Sequence, residues 1–98
     1  MPLTAVLERL RALKPELRER FGVDAVFVFG SHARGEAGPD SDLDLLIDFT
    51  ADAKPTLFSL ARLDQALEAA LGVKVDVVPR TSLNPRLEPY LRMELVAA

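Results

Sequence analysis

Asp42 and Asp44, in Ser41-Asp42-Leu43-Asp44-Leu45, are two residues apart in a run, 42–49, whose alternation reads as a strand. Side chains alternate across a strand. Leu43, Leu45, Ile47 and Phe49 therefore share one face, and Asp42, Asp44, Leu46 and Asp48 the other. The first two carboxylates stand about 6–7 Å apart along the backbone. A third, Asp76, lies in the apolar run 73–78, where Val73, Val75 and Val77 take one face and Lys74, Asp76 and Val78 the other. If the two strands pair with their apolar faces together, Asp76 joins Asp42 and Asp44. Three converging carboxylates repel one another unless cations neutralise them. Hard oxygen donors of this kind suit Mg²⁺ or Mn²⁺. Asp40 belongs to the turn Gly38-Pro39-Asp40, and Asp48 reads as a surface or structural group.

The elements that must position these groups follow from periodicity. Residues 4–21 form an amphipathic helix, with Thr4 as its N-cap, Gly22 as its stop and Pro15 predicting a kink or break near Lys14. Residues 25–29 are short, apolar, β-branched and aromatic, which reads as a central strand. The chain then breaks at Gly30-Ser31, and residues 31–36 have room for one helical turn. Thr56 caps a helix carrying Leu57, Leu60, Leu63, Leu67 and Leu71, ended by Gly72. The strand 73–78 is closed by Pro79, and Asn84-Pro85 opens a last helix with Leu87, Leu91 and Leu95. The apolar tail Leu95-Val96-Ala97-Ala98 is expected to pack on the core. The fold class is α+β, a two-layer arrangement of a small mixed β-sheet covered by helices, in one domain over residues 1–98.

Several chemistries are excluded. Asp40 to Asp44 has the opening spacing of a calcium-binding EF-hand loop, but Leu45 stands where glycine is needed and Ala51 where glutamate is. Gly30 to Gly35 has the glycines of a phosphate-binding P-loop, but Glu36 replaces the lysine. His32, the single histidine, reads as a surface residue of the loop or short helix, and one histidine without cysteine makes no zinc site. The absence of cysteine also excludes disulfides and suits a cytoplasmic protein. No apolar run is long enough to span a membrane, and the N-terminus lacks a signal-peptide layout. A net charge of -3 gives no general basic field to draw in nucleic acid.

Gly30-Ser31 followed by Asp42-Leu43-Asp44 resembles the signature of the DNA polymerase β-like nucleotidyltransferase superfamily. The fuller pattern, Phe29-Gly30-Ser31-His32-Ala33-Arg34-Gly35 and then Ser41-Asp42-Leu43-Asp44-Leu45, resembles its minimal nucleotidyltransferases, over nearly the whole chain. The resemblance implies the nucleotidyltransferase fold and a site in which Asp42 and Asp44 hold two Mg²⁺ ions, with Mn²⁺ as a substitute. It makes Asp76 the third ligand and a proton acceptor, and ATP the substrate. It also gives Gly30-Ser31 a task, because glycine lets the backbone approach a phosphate closely and N–H groups at a helix start hold phosphate oxygens. Arg34 adds a charge for the triphosphate or the acceptor.

Larger members of the superfamily carry a further domain for base and acceptor, which this sequence lacks. The basic residues are scattered and form no aromatic stacking platform, so DNA or RNA polymerisation is not expected. The resemblance implies instead a small helical HEPN partner. The chain would then be the antitoxin of a toxin–antitoxin system, transferring AMP from ATP to a tyrosine of an RNase toxin. Two other readings remain open: a binding module that masks the same partner, and a transferase acting on a small molecule or RNA end.

Overall fold

The computed structural model describes residues 2–38, 40–80 and 94–98. Helix α1 covers Leu3–Phe21, strand β1 Val23–Phe29, the short helix α2 Gly30–Arg34, strand β2 Leu43–Phe49, helix α3 Leu57–Leu71, strand β3 Val75–Pro79 and strand β4 Val96–Ala97. The sheet order is β3-β2-β1-β4. β1 runs antiparallel to β2 and β4, whereas β2 and β3 are parallel. A parallel pair needs a long crossover, and α3 supplies it. The result is a mixed four-stranded sheet with helices, the α+β class expected from the sequence.

The apolar faces meet as their alternation predicts. Val26 and Val28 of β1, Leu43, Leu45 and Ile47 of β2, and Val75 of β3 pack against Val6, Leu10 and Leu17 of α1 and Leu63, Leu67 and Leu71 of α3. All of these are buried, Leu43, Leu45 and Ile47 completely. Leu46, on the other face of β2, is also fully buried. The centre of β2, from Leu45 to Ile47, is therefore buried on both faces.

Local signals explain most of the boundaries. Gly22 and Gly72 take the left-handed conformation that ends α1 and α3, at φ 71° and 73°. A Cβ at Gly22 would lie 2.6 Å from the Ala53 Cβ, so only glycine lets the segment after β2 approach there. Thr56 caps α3 in a capping box: its hydroxyl accepts from the Ser59 N–H at 3.1 Å, and the Ser59 hydroxyl accepts from the Thr56 N–H at 2.7 Å.

Other boundaries differ from the sequence reading. Thr4 is not the N-cap of α1. The helix starts at Leu3 with Pro2 as N-cap and no side-chain cap, and Val6 N–H already donates to the Pro2 carbonyl at 3.1 Å. Pro15 does not break α1, which continues to Phe21. Strands β1 and β3 also shift, β1 starting at Val23 and β3 at Val75. Asp42 lies just before β2 rather than in it. The expected cap Asn84-Pro85 and the helix through Leu87 and Leu91 lie outside the described residues. Leu95 is not helical: it precedes β4, which pairs Val96 with Val28 and Ala97 with Phe27. The tail packs on the core as expected, with Ala98 N–H donating to the Val26 carbonyl at 3.0 Å and Lys14 Nζ donating to the Ala98 carbonyl at 3.1 Å.

Candidate active site

β2 is flanked by β1 and β3, and its first residues face both. Asp44 is opposite Phe29 on one side and opposite Asp76 on the other. Cross-strand neighbours in register point to the same face, so the parallel ladder joins two carboxylates that are 32 positions apart in the sequence. Asp42 precedes the strand, exposed, and Asp76 is exposed on β3. Asp44 is half-buried between them. Its carboxyl is pushed above the ordinary value by burial first, then by the charges of Asp76 and Asp42, with His32 and Arg34 partly offsetting them. Asp76 and Asp42 thus both act electrostatically on Asp44: Asp76 from its register position across the parallel ladder, Asp42 from the residues just before β2.

Gly30 is the tightest point of the site. It follows β1 directly, opens α2 and takes φ +71°. A Cβ built there would collide with Asp44 Oδ2 and lie 3.2 Å from Asp44 Cγ. The bare backbone of the turn thus rests against the Asp44 carboxylate. Ser31 is the second residue of α2 and not its N-cap; Phe29 holds that position, with no side-chain cap. The Ser31 hydroxyl makes no hydrogen bond among the described residues.

Arg34, at the end of α2, is close enough to act on Asp44 but is engaged elsewhere. Its Nε donates to Glu36 Oε2 and a terminal nitrogen to Glu94 Oε1, both at 3.1 Å. These contacts raise the guanidinium pKa. His32 departs from expectation. It lies on α2 but is buried, 7% exposed, beside Pro2, Leu3, Gly35 and Ala37. Its Nε2 has no partner among the described residues. One inward-facing residue on a single-turn helix has no periodicity to reveal it. Asp48 is structural, as expected: it pairs with Arg80, whose guanidinium lies 5.4 Å from the centre of the Phe27 ring.

Sequence reasoning passed over two further carboxylates. Asp64 and Glu68 are successive-turn neighbours on α3 next to the stripe Leu63-Leu67. The Asp64 carboxyl is pushed up by burial, then by Glu68, and it also feels Asp76. Glu68 Oε2 accepts from the Val75 N–H at 3.5 Å, next to Asp76. Two acids four residues apart beside an apolar stripe were the available signal.

Among the described residues, no group of three or more acidic, histidine or cysteine side chains is arranged to hold a metal ion by itself. The donor set still fits Mg²⁺, which is commonly held by one or two carboxylates together with substrate phosphates rather than by an all-protein cage. Asp44, crowded by Asp76 and Asp42, is the group such a cation would relieve.

The sequence profile of the nucleotidyltransferase domain matches residues 10–97. This chain belongs to that family. Among relatives of the domain, Protein adenylyltransferase MntA of Thermococcus cleftensis is 47% identical over 87 residues, covering 89% of this chain and 86% of the relative. A solved structure assigned as a minimal nucleotidyltransferase superposes with a TM-score of 0.80 at 46% identity, covering 98% of this chain and 95% of the other. The same fold, at 20% identity and a TM-score of 0.68, occurs in a Shewanella oneidensis structure of a tri-AMPylated HEPN toxin with its MNT antitoxin. That match covers 94% of this chain and 70% of the other. The nucleotidyltransferase domain described here is thus an enzyme of nucleotidyl transfer.

Proposed function

We propose that this nucleotidyltransferase is a protein adenylyltransferase, which moves AMP from ATP to a tyrosine hydroxyl of a small helical HEPN-type RNase toxin and so acts as its antitoxin. The observation that carries the reading is the Asp44–Asp76 register with Gly30 packed on Asp44. A phosphate-approachable backbone, a crowded carboxylate and a second exposed carboxylate stand in one row. The 47% identity to a protein adenylyltransferase supports the class of acceptor.

In this reading Gly30-Ser31 holds the β- and γ-phosphates through backbone N–H groups and the uncommitted Ser31 hydroxyl. Asp42, Asp44 and Asp76 hold two Mg²⁺ ions, for which Mn²⁺ substitutes. When bound, the ions supply charge stabilisation to the entering and leaving oxygens of an in-line displacement. Asp76, exposed on the edge strand β3, takes the proton of the attacking hydroxyl. Arg34 adds a positive charge after exchanging Glu36 and Glu94 for a phosphate or the acceptor. Work in the cytoplasm fits a chain with no cysteine and no helix, among the described residues, long and apolar enough to cross a membrane.

The test is incubation of the purified protein with labelled ATP, Mg²⁺ and a candidate HEPN partner, read by mass spectrometry. A gain of AMP on the partner is expected, and Asp42→Ala with Asp44→Ala should abolish it. If the partner binds tightly and gains no AMP, masking replaces transfer. Transfer by the double variant would refute the metal-site assignment.

A further inference from the structure

We propose that the cleft between residues 40–42 and Gly72-Val73-Lys74 is the acceptor subsite, where one hydroxyl-bearing side chain of a polypeptide enters and Lys74 contacts its oxygen. The proposal rests on the adenylyl transfer set out above and says from which side the acceptor arrives.

The argument starts from the order of the strands. β2 lies between β1 and β3. Gly30, which follows Phe29 of β1, touches Asp44 from the β1 flank. The cleft is on the β3 flank. Asp40, Ser41 and Asp42 form one wall and Gly72, Val73 and Lys74 the other. The two walls are tied together by the Leu43 N–H, which donates to the Lys74 carbonyl at 2.8 Å. In-line displacement puts the entering and leaving oxygens on opposite sides of the phosphorus. With pyrophosphate leaving beside Gly30-Ser31, the entering hydroxyl comes from the β3 flank. That flank carries Asp76 and the cleft.

Size and chemistry select the occupant. The cleft has a volume of about 270 Å³, just below the ~300 Å³ at which pockets for drug-sized ligands begin. It suits one side chain better than a whole small-molecule acceptor. No aromatic residue among the described residues lines it to stack on a nucleobase. Lys74 is its single cationic lining residue, is exposed, and makes no ion pair or side-chain hydrogen bond among the described residues. An ammonium is a compact point charge with three donors, able to stabilise an oxygen as it loses its proton. In the transfer, the hydroxyl oxygen forms a bond to the α-phosphorus and the bond from that phosphorus to the bridging oxygen of pyrophosphate breaks. The hydroxyl proton passes to the Asp76 carboxylate.

The test measures AMP transfer to the HEPN-type partner with the full-length wild-type protein, K74Q and K74R, varying partner and ATP in turn. Binding of a non-hydrolysable ATP analogue is measured alongside. For K74Q, the KM for the partner should rise about tenfold or kcat fall about tenfold, with the KM for ATP and analogue binding within about twofold of wild type, and K74R should recover most of the loss. An equal loss in the KM for ATP would place Lys74 on the nucleotide side and overturn the proposal. Unchanged kinetics would overturn it as well. A wild-type protein that transfers AMP to no protein would instead refute adenylyl transfer itself, and the acceptor subsite with it.

Discussion

Asp44 is the residue on which the site depends, and its electrostatics yield two predictions. Its carboxyl titrates above the value for an unfolded chain because burial and the charges of Asp76 and Asp42 disfavour the ionised form. The folded state therefore holds its proton to higher pH than the unfolded state does. Stability falls as pH rises from the unfolded value, about 3.9, through the raised folded value, and the penalty persists at neutral pH. Asp44→Asn should raise the urea midpoint at pH 7 in metal-free buffer, and the gain should vanish below about pH 3.9, where both forms are neutral. Transfer by the same variant should drop about 100- to 1,000-fold, the scale for removing a group that stabilises transition-state charge. Gly30→Ala acts on the same atoms from the other side. A positive φ costs a non-glycine residue about 1–2 kcal/mol, and the new Cβ displaces the Asp44 carboxylate. Urea melts should show that loss of stability. Transfer should fall about 100-fold, as for a misplacement of about 1 Å.

At the scale of elements, α3 links the core to the site, because it carries the crossover that brings β3 parallel to β2. Thr56→Ala removes its capping box and should cost about 1 kcal/mol in urea melts, with kcat little changed. Leu63→Ala, completely buried under the sheet, should cost about 2–5 kcal/mol. The sequence showed β2, β3, α1 and α3 through their repeating periods, and β1 through an unbroken apolar, β-branched run. Even the Asp44–Asp76 pairing followed from the requirement that apolar faces share one side. β4 was hidden because two residues carry no period, and its pairing exists only because β1 offers it an edge. The cap of α1 was misread because Thr4 has the right chemistry but Pro2 already occupies the position. His32 was misread as exposed because nothing in a single turn says which side faces inward. Arg34 was assigned a charge for the triphosphate or the acceptor, and its ion pair with Glu94, 60 positions away, had no signal in the sequence.

For the whole molecule, the finding that no side-chain group among the described residues is arranged to hold a metal by itself predicts that metal and nucleotide bind together. Mg²⁺ with a non-hydrolysable ATP analogue at about 100 times its Kd should stabilise the fold by about 2.7 kcal/mol. In a domain of this size that is a rise in Tm of roughly 10–20 °C. Either component alone should give a much smaller rise, and EDTA should remove the joint effect in a thermal-shift assay. Equal stabilisation by nucleotide without metal would refute joint binding.

The contact between Gly30 and Asp44 also bears on how such a protein can change by mutation. The space for a side chain at position 30 is already filled by the carboxylate, and a shorter residue at position 44 would lose the charge the reaction needs. A side chain added at position 30 displaces the carboxylate, and a change at position 44 removes it, so a compensating pair begins from an intermediate impaired about 100-fold or more. New acceptors or partners must therefore be reached through the rim, where Arg34, Asp40 and Lys74 are exposed. The centre is locked by van der Waals contact, and the edges are free to drift.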